Sequence, residues 1–381
     1  YIPNHGTKTN SSFMTDCRVF LIGASLCAVF SACSRPTETP ADSEQFPNRP
    51  PYAWQTSTPA QQGLDSASIA AAVTEMNSHA WMFSLLVVRH GYLVVERYNS
   101  NLTEYNDYEI RSASKSVTSA LIGLAIKEGY IDSAGQKMMD FFPDFVTPGM
   151  DPRKFDVTIE HLLTMTAGFD FNELGDYTQQ FNNNTNWLKE AINLPLKYNP
   201  GEKFAYATPM TNILSGIITR ATGMSTREFA ERYLFTPLNI EVRRWDQDPQ
   251  GIYLGGSGMV FTARDLARFG YLYLKDGTVD SVSIIPRSWI EKSSAQHLRQ
   301  NDPWPILNTV NYGYSWWTNY DSTVVTYFAA GYGGQYVFVC PNLDMVVVMT
   351  SYAYVDASLS SAQLTSALDL FVNKIVPSVL N

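Results

Sequence analysis

The chain has 381 residues, 45% hydrophobic and 13% aromatic, ample apolar material for a large core. Its net charge of −9, from 27 basic and 36 acidic residues, argues against nucleic acid as a partner, because a phosphate-binding face needs clustered Lys and Arg. Three of the four cysteines fall in the first 33 residues and the five histidines are scattered without metal-ligand spacing, so no internal disulfide, metal or other cofactor is expected.

Residue 1 is Tyr, and Met14 is the only methionine before the first apolar run, so residues 1–13 read as upstream translated sequence. After Arg18 the chain carries no charge from Val19 to Ala32. That is about the length of a secretory signal core and too short for a membrane-spanning helix. The run ends Phe30-Ser31-Ala32-Cys33 and continues into a polar stretch. Small residues before a cysteine resemble a bacterial lipoprotein signal, with Phe30 in place of the usual Leu. The alternative is an ordinary cleaved signal near Ala32. Residues 14–33 are then a signal segment and Cys33 the lipid attachment point. The expected location is the bacterial cell envelope, periplasmic or lipid-anchored, with no other membrane association. Residues 34–60, rich in Pro, Thr and Ser, read as a tether.

The body, residues 61–381, opens with helical spacing at 66–77. FSLLVVRHGYLVVERYN (83–99) holds two strand-like runs split by His90-Gly91, a hairpin signal. Residues 115–127 are helical, and helical patterns continue to about 280, the last being TARDLARFGYLYLKDG. Then come the strand-like segments NYGYSWWTNY, VVTYFAAG, GQYVFVCP and DMVVVMTSY, and a final helix at about 359–376. Strands at both ends bracket a helical middle. The economical fold is α+β: one antiparallel sheet flanked by helices, with an inserted all-helical lobe. The α/β lobe is expected at about 61–125 and 285–381 and the helical lobe at about 126–284, with the active site between them.

The chemistry points to Arg111-Ser112-Ala113-Ser114-Lys115. Residues 116–126 carry no charge, so the helix they form is buried on nearly all faces. Lys115 sits in its first turn. Burial and the positive end of the helix dipole both favour the neutral amine, which can act as a general base. Ser112, three residues earlier, shares its face. A serine before a helix is more often a cap, and Ser112 or Ser114 could serve so; the uniformly apolar helix tips the balance toward a nucleophile and its base.

Two further segments join this one: PGEKFAYAT (200–208) and AAGYGGQYVFVCP (329–341), with TIEHLLTMTAGF (158–169) and GGSGMVFTARDLARFG (255–270) in support. Together they resemble the serine β-lactamase and penicillin-binding-protein superfamily, in its class C-like branch of esterases and 6-aminohexanoate-dimer hydrolases. The resemblance implies an acyl-enzyme on Ser112, Lys115 as the motif lysine and Tyr206 as the proton-relaying phenol. Gly331-Tyr332-Gly333 would occupy the Lys-Thr-Gly position and line the substrate with Thr208. The N–H groups of Ser112 and Gly334 would form the oxyanion hole. Thr208 replaces the motif asparagine and Gly331 the motif lysine, so Lys115 remains the one motif cation to lower the Tyr206 pKa. The expected activity is that of an esterase or amidase on small substrates. The alternatives are a class C-type β-lactamase or D-alanyl peptidase, and a non-catalytic envelope-anchored binding protein. No G-x-S-x-G elbow is present, and no motif places a histidine for a Ser-His-Asp triad.

Overall fold

The computed structural model describes residues 49–173, 186–297, 306–307, 310–320 and 324–380. The expected signal segment and Cys33 lie outside the described residues. The strands are β1 (Met82–Arg89), β2 (Tyr92–Tyr98), β3 (Asp107–Glu109), β4 (Arg244–Trp245), β5 (Met259–Thr262), β6 (Thr278–Val279), β7 (Val282–Ser283), β8 (Asn311–Tyr312), β9 (Trp317–Asn319), β10 (Thr326–Gly331), β11 (Gln335–Cys340) and β12 (Met345–Ser351). Seven of them form one antiparallel sheet in the order β2-β1-β12-β11-β10-β9-β8. Both ends of the chain therefore build the sheet, as the sequence predicts. A small second sheet, β3-β5-β4, stands beside it.

The principal helices are α1 (Ser66–Ser78), α2 (Ser114–Lys127), α3 (Ile159–Leu163), α4 (Trp187–Asn193), α5 (Thr208–Thr222), α6 (Thr226–Ala230), α7 (Ala263–Leu274), α8 (Arg287–Ser294) and α9 (Ala357–Leu370). Alternate residues of the central strands enter different cores. Leu86, Val88, Val346 and Val348 join α7 and the helical lobe, whereas Leu85, Val87, Val347 and Met349 meet α1 and α9. Covered on both faces, these strands are apolar throughout rather than alternating.

Two expected boundaries move. Helix α7, placed in the helical lobe by its position before residue 284, packs on β1, β11 and β12, so that lobe ends before β5. Gly270 lets it lie close: a Cβ there would come within 2.7 Å of Val346 and 2.8 Å of Val337. Helical periodicity reveals an apolar stripe but not which partner covers it. The expected tether also ends early. From Arg49 onward it is a docked strap. The Arg49 guanidinium donates to the Ile240 carbonyl at 2.7 Å and lies 3.4 Å from Glu231, and its N–H donates to Glu241 at 2.6 Å. Trp54 donates to the Arg264 carbonyl at 3.3 Å, and Thr56 bridges Leu93 of the edge strand β2. Aromatic and arginine anchors within a Pro-rich stretch hold it down.

Candidate active site

After β3 the chain turns at Arg111, whose φ of +50° lies in the left-handed region, costly for a side-chain-bearing residue. Its guanidinium is held 3.5 Å from Glu109, donates to the Ala353 carbonyl at 3.1 Å and lies 4.6 Å from the centre of the Tyr354 ring. A 3-10 turn, Arg111–Ala113, then feeds α2. This leaves Ser112 half-buried in the wall of a cleft of about 730 Å³, with Lys115 beneath it, 1% exposed. A second cavity, of about 590 Å³ between the sheet and the C-terminal helices, contains none of these residues.

Lys115 Nζ makes three contacts: Ser112 Oγ at 2.9 Å, Thr208 Oγ1 at 2.8 Å and the Gly256 carbonyl at 3.0 Å. Burial lowers its pKa from 10.5 to about 8, opposed by the negative charge of Glu173. The Gly256 carbonyl approaches because its residue has no side chain. A Cβ would stand 2.5 Å from Thr211 Oγ1 and 2.6 Å from Thr208 Cγ2. Its neighbour Gly255 accepts from Thr118 of α2 at 2.7 Å, so the Gly-Gly segment is stitched under the lysine.

Tyr206, at the entrance to α5, stacks on Trp317 with ring centres 5.8 Å apart and an interplanar angle of 17°. Lys115 Nζ lies over its ring, 5.0 Å from the centre. Burial pushes the phenol well above its ordinary pKa, reinforced by Tyr312 and Glu173 and opposed by a hydrogen bond with Ser112. The expected lowering by Lys115 does not occur. The phenol keeps its proton at neutral pH.

Opposite Ser112, β10 ends against the turn that carries that serine. A Cβ on Gly331 would lie 2.2 Å from the Ile110 carbonyl oxygen, so only glycine fits. Gly331 and Tyr332 line the cleft, with Glu173 and Tyr206 on other walls.

The profile of the Beta-lactamase family matches residues 69–358. The chain belongs to the β-lactamase family. It is a hydrolase of that fold. A 6-aminohexanoate-dimer hydrolase of Paenarthrobacter ureafaciens is 25% identical over 290 residues, 70% of this chain and 72% of that one. Two solved structures share the fold. A penicillin-binding protein homologue from Caulobacter crescentus has TM-score 0.59 and 16% identity, covering 81% of this chain and 99% of that one. A family VIII carboxylesterase has TM-score 0.58 and 15% identity, covering 80% and 97%.

Within this β-lactamase-family chain, Ser112, Lys115, Tyr206 and Thr208 come together. The glycine-rich turn divides. Gly331 and Tyr332 face the cleft, whereas the Gly333 N–H donates to Ser360 Oγ at 2.9 Å and the Gly334 N–H to the Gly331 carbonyl at 3.2 Å. The Gly334 N–H is therefore committed within the turn and the Gly333 N–H to Ser360, which leaves neither free to meet an oxyanion in the cleft. Their φ values of +82° and +92° show why glycine recurs: it closes the hairpin from β10 to β11. Sequence reasoning missed Glu173, which accepts both the N–H and the hydroxyl proton of Thr208. It also missed Gly255-Gly256. The only signal for that pair was two adjacent glycines.

Proposed function

We propose that the chain is a serine esterase or amidase that acylates Ser112. The observation that carries this reading is the buried Lys115 Nζ, 2.9 Å from Ser112 Oγ, with its pKa lowered to about 8. The neutral amine takes the Ser112 proton as Oγ bonds to the substrate carbonyl carbon. The oxyanion is received by the Ser112 N–H and, since Gly334 is engaged, by the N–H of Tyr332 at the end of β10. Tyr206, holding its proton, supplies it to the leaving oxygen or nitrogen. Water then attacks the acyl carbon, giving one proton to the Tyr206 phenolate, and the Lys115 ammonium returns its proton to Ser112 Oγ as the acid departs, which restores the starting enzyme.

Esters without a carboxylate suit this cleft. Gly331 and the two alanines before it offer no cation, and the cleft-lining Arg111 is occupied by Glu109, Ala353 and Tyr354. A charge-assisted contact of about 1.5–3 kcal/mol is missing for a β-lactam carboxylate, or roughly 10–150-fold. The test compares kcat/KM for p-nitrophenyl butyrate and nitrocefin, with Ser112→Ala as control. The ester should lead by that margin and Ser112→Ala should abolish its turnover. A nitrocefin value equal to the ester value would restore the β-lactamase reading.

A further inference from the structure

Counting protons around Lys115 assigns a role to Glu173. A neutral lysine amine carries two protons and one lone pair. Its three directions here meet the Gly256 carbonyl, Thr208 Oγ1 and Ser112 Oγ. The carbonyl can only accept, so one amine proton is committed to it. The Thr208 hydroxyl can donate or accept, and alone would leave the amine's orientation open. Glu173 removes that freedom. Its carboxylate can only accept, and it grips Thr208 with both oxygens: Oε2 takes the backbone N–H at 2.8 Å and Oε1 takes the hydroxyl proton. With its one proton spent, Thr208 Oγ1 must accept from Nζ. The second amine proton is then committed, and the lone pair has one direction left, toward Ser112 Oγ.

We propose that Glu173 is a positioning residue which, by fixing the Thr208 hydroxyl as an acceptor, aims the lone pair of neutral Lys115 at Ser112. The inference rests on the serine-hydrolase reading above and adds how its base is oriented. It also accounts for Thr208 where the resembled families carry asparagine. An asparagine carbonyl is an acceptor by constitution, whereas a threonine hydroxyl becomes one only beside a carboxylate. In the step itself the Ser112 proton moves to Nζ as Oγ bonds to the acyl carbon, whose carbonyl pair moves to oxygen, or, with a fluorophosphonate, to phosphorus as fluoride leaves, so the ammonium then donates in all three directions.

Glu173 also carries a negative charge, and that charge holds the proton on Lys115. Charge and positioning therefore predict opposite results for Glu173→Gln. If only the charge matters, the amine deprotonates more readily: the rate profile shifts to lower pH and its plateau stays. If positioning matters, the plateau falls. A glutamine whose carbonyl keeps the Thr208 N–H turns its amide N–H to Oγ1. The hydroxyl proton swings to Nζ and occupies the lone pair.

The experiment measures phosphonylation of Ser112 by a fluorophosphonate across pH 6–10, with the labelled residue located by mass spectrometry. The proteins are the wild-type chain, Glu173→Gln, Thr208→Asn and the double variant. Glu173→Gln should lower the plateau about 10²-fold, the lower end of what a positioned base contributes. Thr208→Asn sets the reference rate for the double variant, and adding Glu173→Gln to it should cost little, since the asparagine carbonyl accepts from Nζ without help. The last comparison also holds if the single Glu173→Gln variant fails to fold. An unchanged plateau with a shifted profile in Glu173→Gln overturns the proposal, as does a double variant about 10²-fold below Thr208→Asn. Failure of the wild-type chain to label at Ser112 overturns the hydrolase reading and this proposal with it. Labelling of wild type with no effect of Glu173→Gln overturns the positioning role alone.

Discussion

Lys115 weakens the fold it serves. Its pKa falls from 10.5 to about 8 because burial disfavours the ammonium, so between those values the unfolded chain binds the proton more tightly. Below about pH 8 both states are charged and the penalty is complete, roughly 3 kcal/mol at 1.36 kcal/mol per tenfold change in proton affinity. Above about 10.5 both are neutral and it vanishes. Replacing Lys115 by Met removes it, while leaving Thr208 Oγ1 and the Gly256 carbonyl without their donor costs back about 1–3 kcal/mol each. The Lys115→Met protein should therefore melt near the wild-type temperature at pH 7 while losing all ester turnover. Its stability relative to wild type should fall from pH 8 to pH 10.5. Paired melting curves across that range check the sign, and a difference independent of pH would contradict it.

At the scale of elements, the sequence announced what is local and concealed what is assembled. Helix α2 and the Ser112–Lys115 spacing were legible because one uncharged run carries both burial and geometry. Glu173 was not: it lies 35 residues before Thr208, in a loop with no periodicity. The oxyanion side was misplaced because five of six residues in a row at the hairpin are glycine or tyrosine, and sequence does not say which N–H closes the turn and which faces the cleft. Gly255-Gly256 entered the sequence reading only as part of the supporting stretch 255–270, with no role of their own, although a loop passing under a lysine needs the missing side chain. The Gly256→Ala variant tests that requirement. Its Cβ would crowd Thr208, Thr211 and, at 3.3 Å, Lys115 Nζ. Stability should fall by about 1–3 kcal/mol, as for an overfilled core, and ester turnover should fall more than Gly135→Ala lowers it. The exposed Gly135 would place its Cβ no nearer than 3.5 Å to a single serine oxygen. Equal activity of the two variants would show that the loop yields without disturbing the base.

For the molecule as a whole, the two-ended sheet and the helical insertion were legible from the order of strand-like and helix-like runs. The seat of α7 and the docked strap were not, because both depend on long-range partners. The strap is a structural part of the body. Arg49 faces Glu231 and Glu241, and burial raises the Glu231 carboxyl above its ordinary range while Arg49 pulls it down. Arg49→Ala should destabilise the chain by about 2–3 kcal/mol at pH 7, somewhat short of the cost of breaking a fully buried pair. The loss should narrow toward acid pH as Glu231 takes a proton. Chemical denaturation of both proteins at two pH values measures it, and a variant as stable as wild type at pH 7 would show that residues 49–58 merely rest on the surface.

The strand order also governs when the chain can fold. The β1–β2 hairpin is local, but the other edge of β1 pairs with β12, and Ser84 bonds Thr350 at 2.6 Å across a separation of 266 residues. During synthesis β1 therefore leaves the ribosome long before its partner exists, apolar on both faces and open along one side. Closing so long a loop costs only a slowly growing entropy, yet pairings this distant are reached late and slowly. Over that interval the nascent chain presents an unpaired, largely apolar edge to every neighbour, the condition under which polypeptides associate with one another instead of with themselves. A chain released before residue 345 has no route out of that state, because the strand that would close the sheet is the one it lacks.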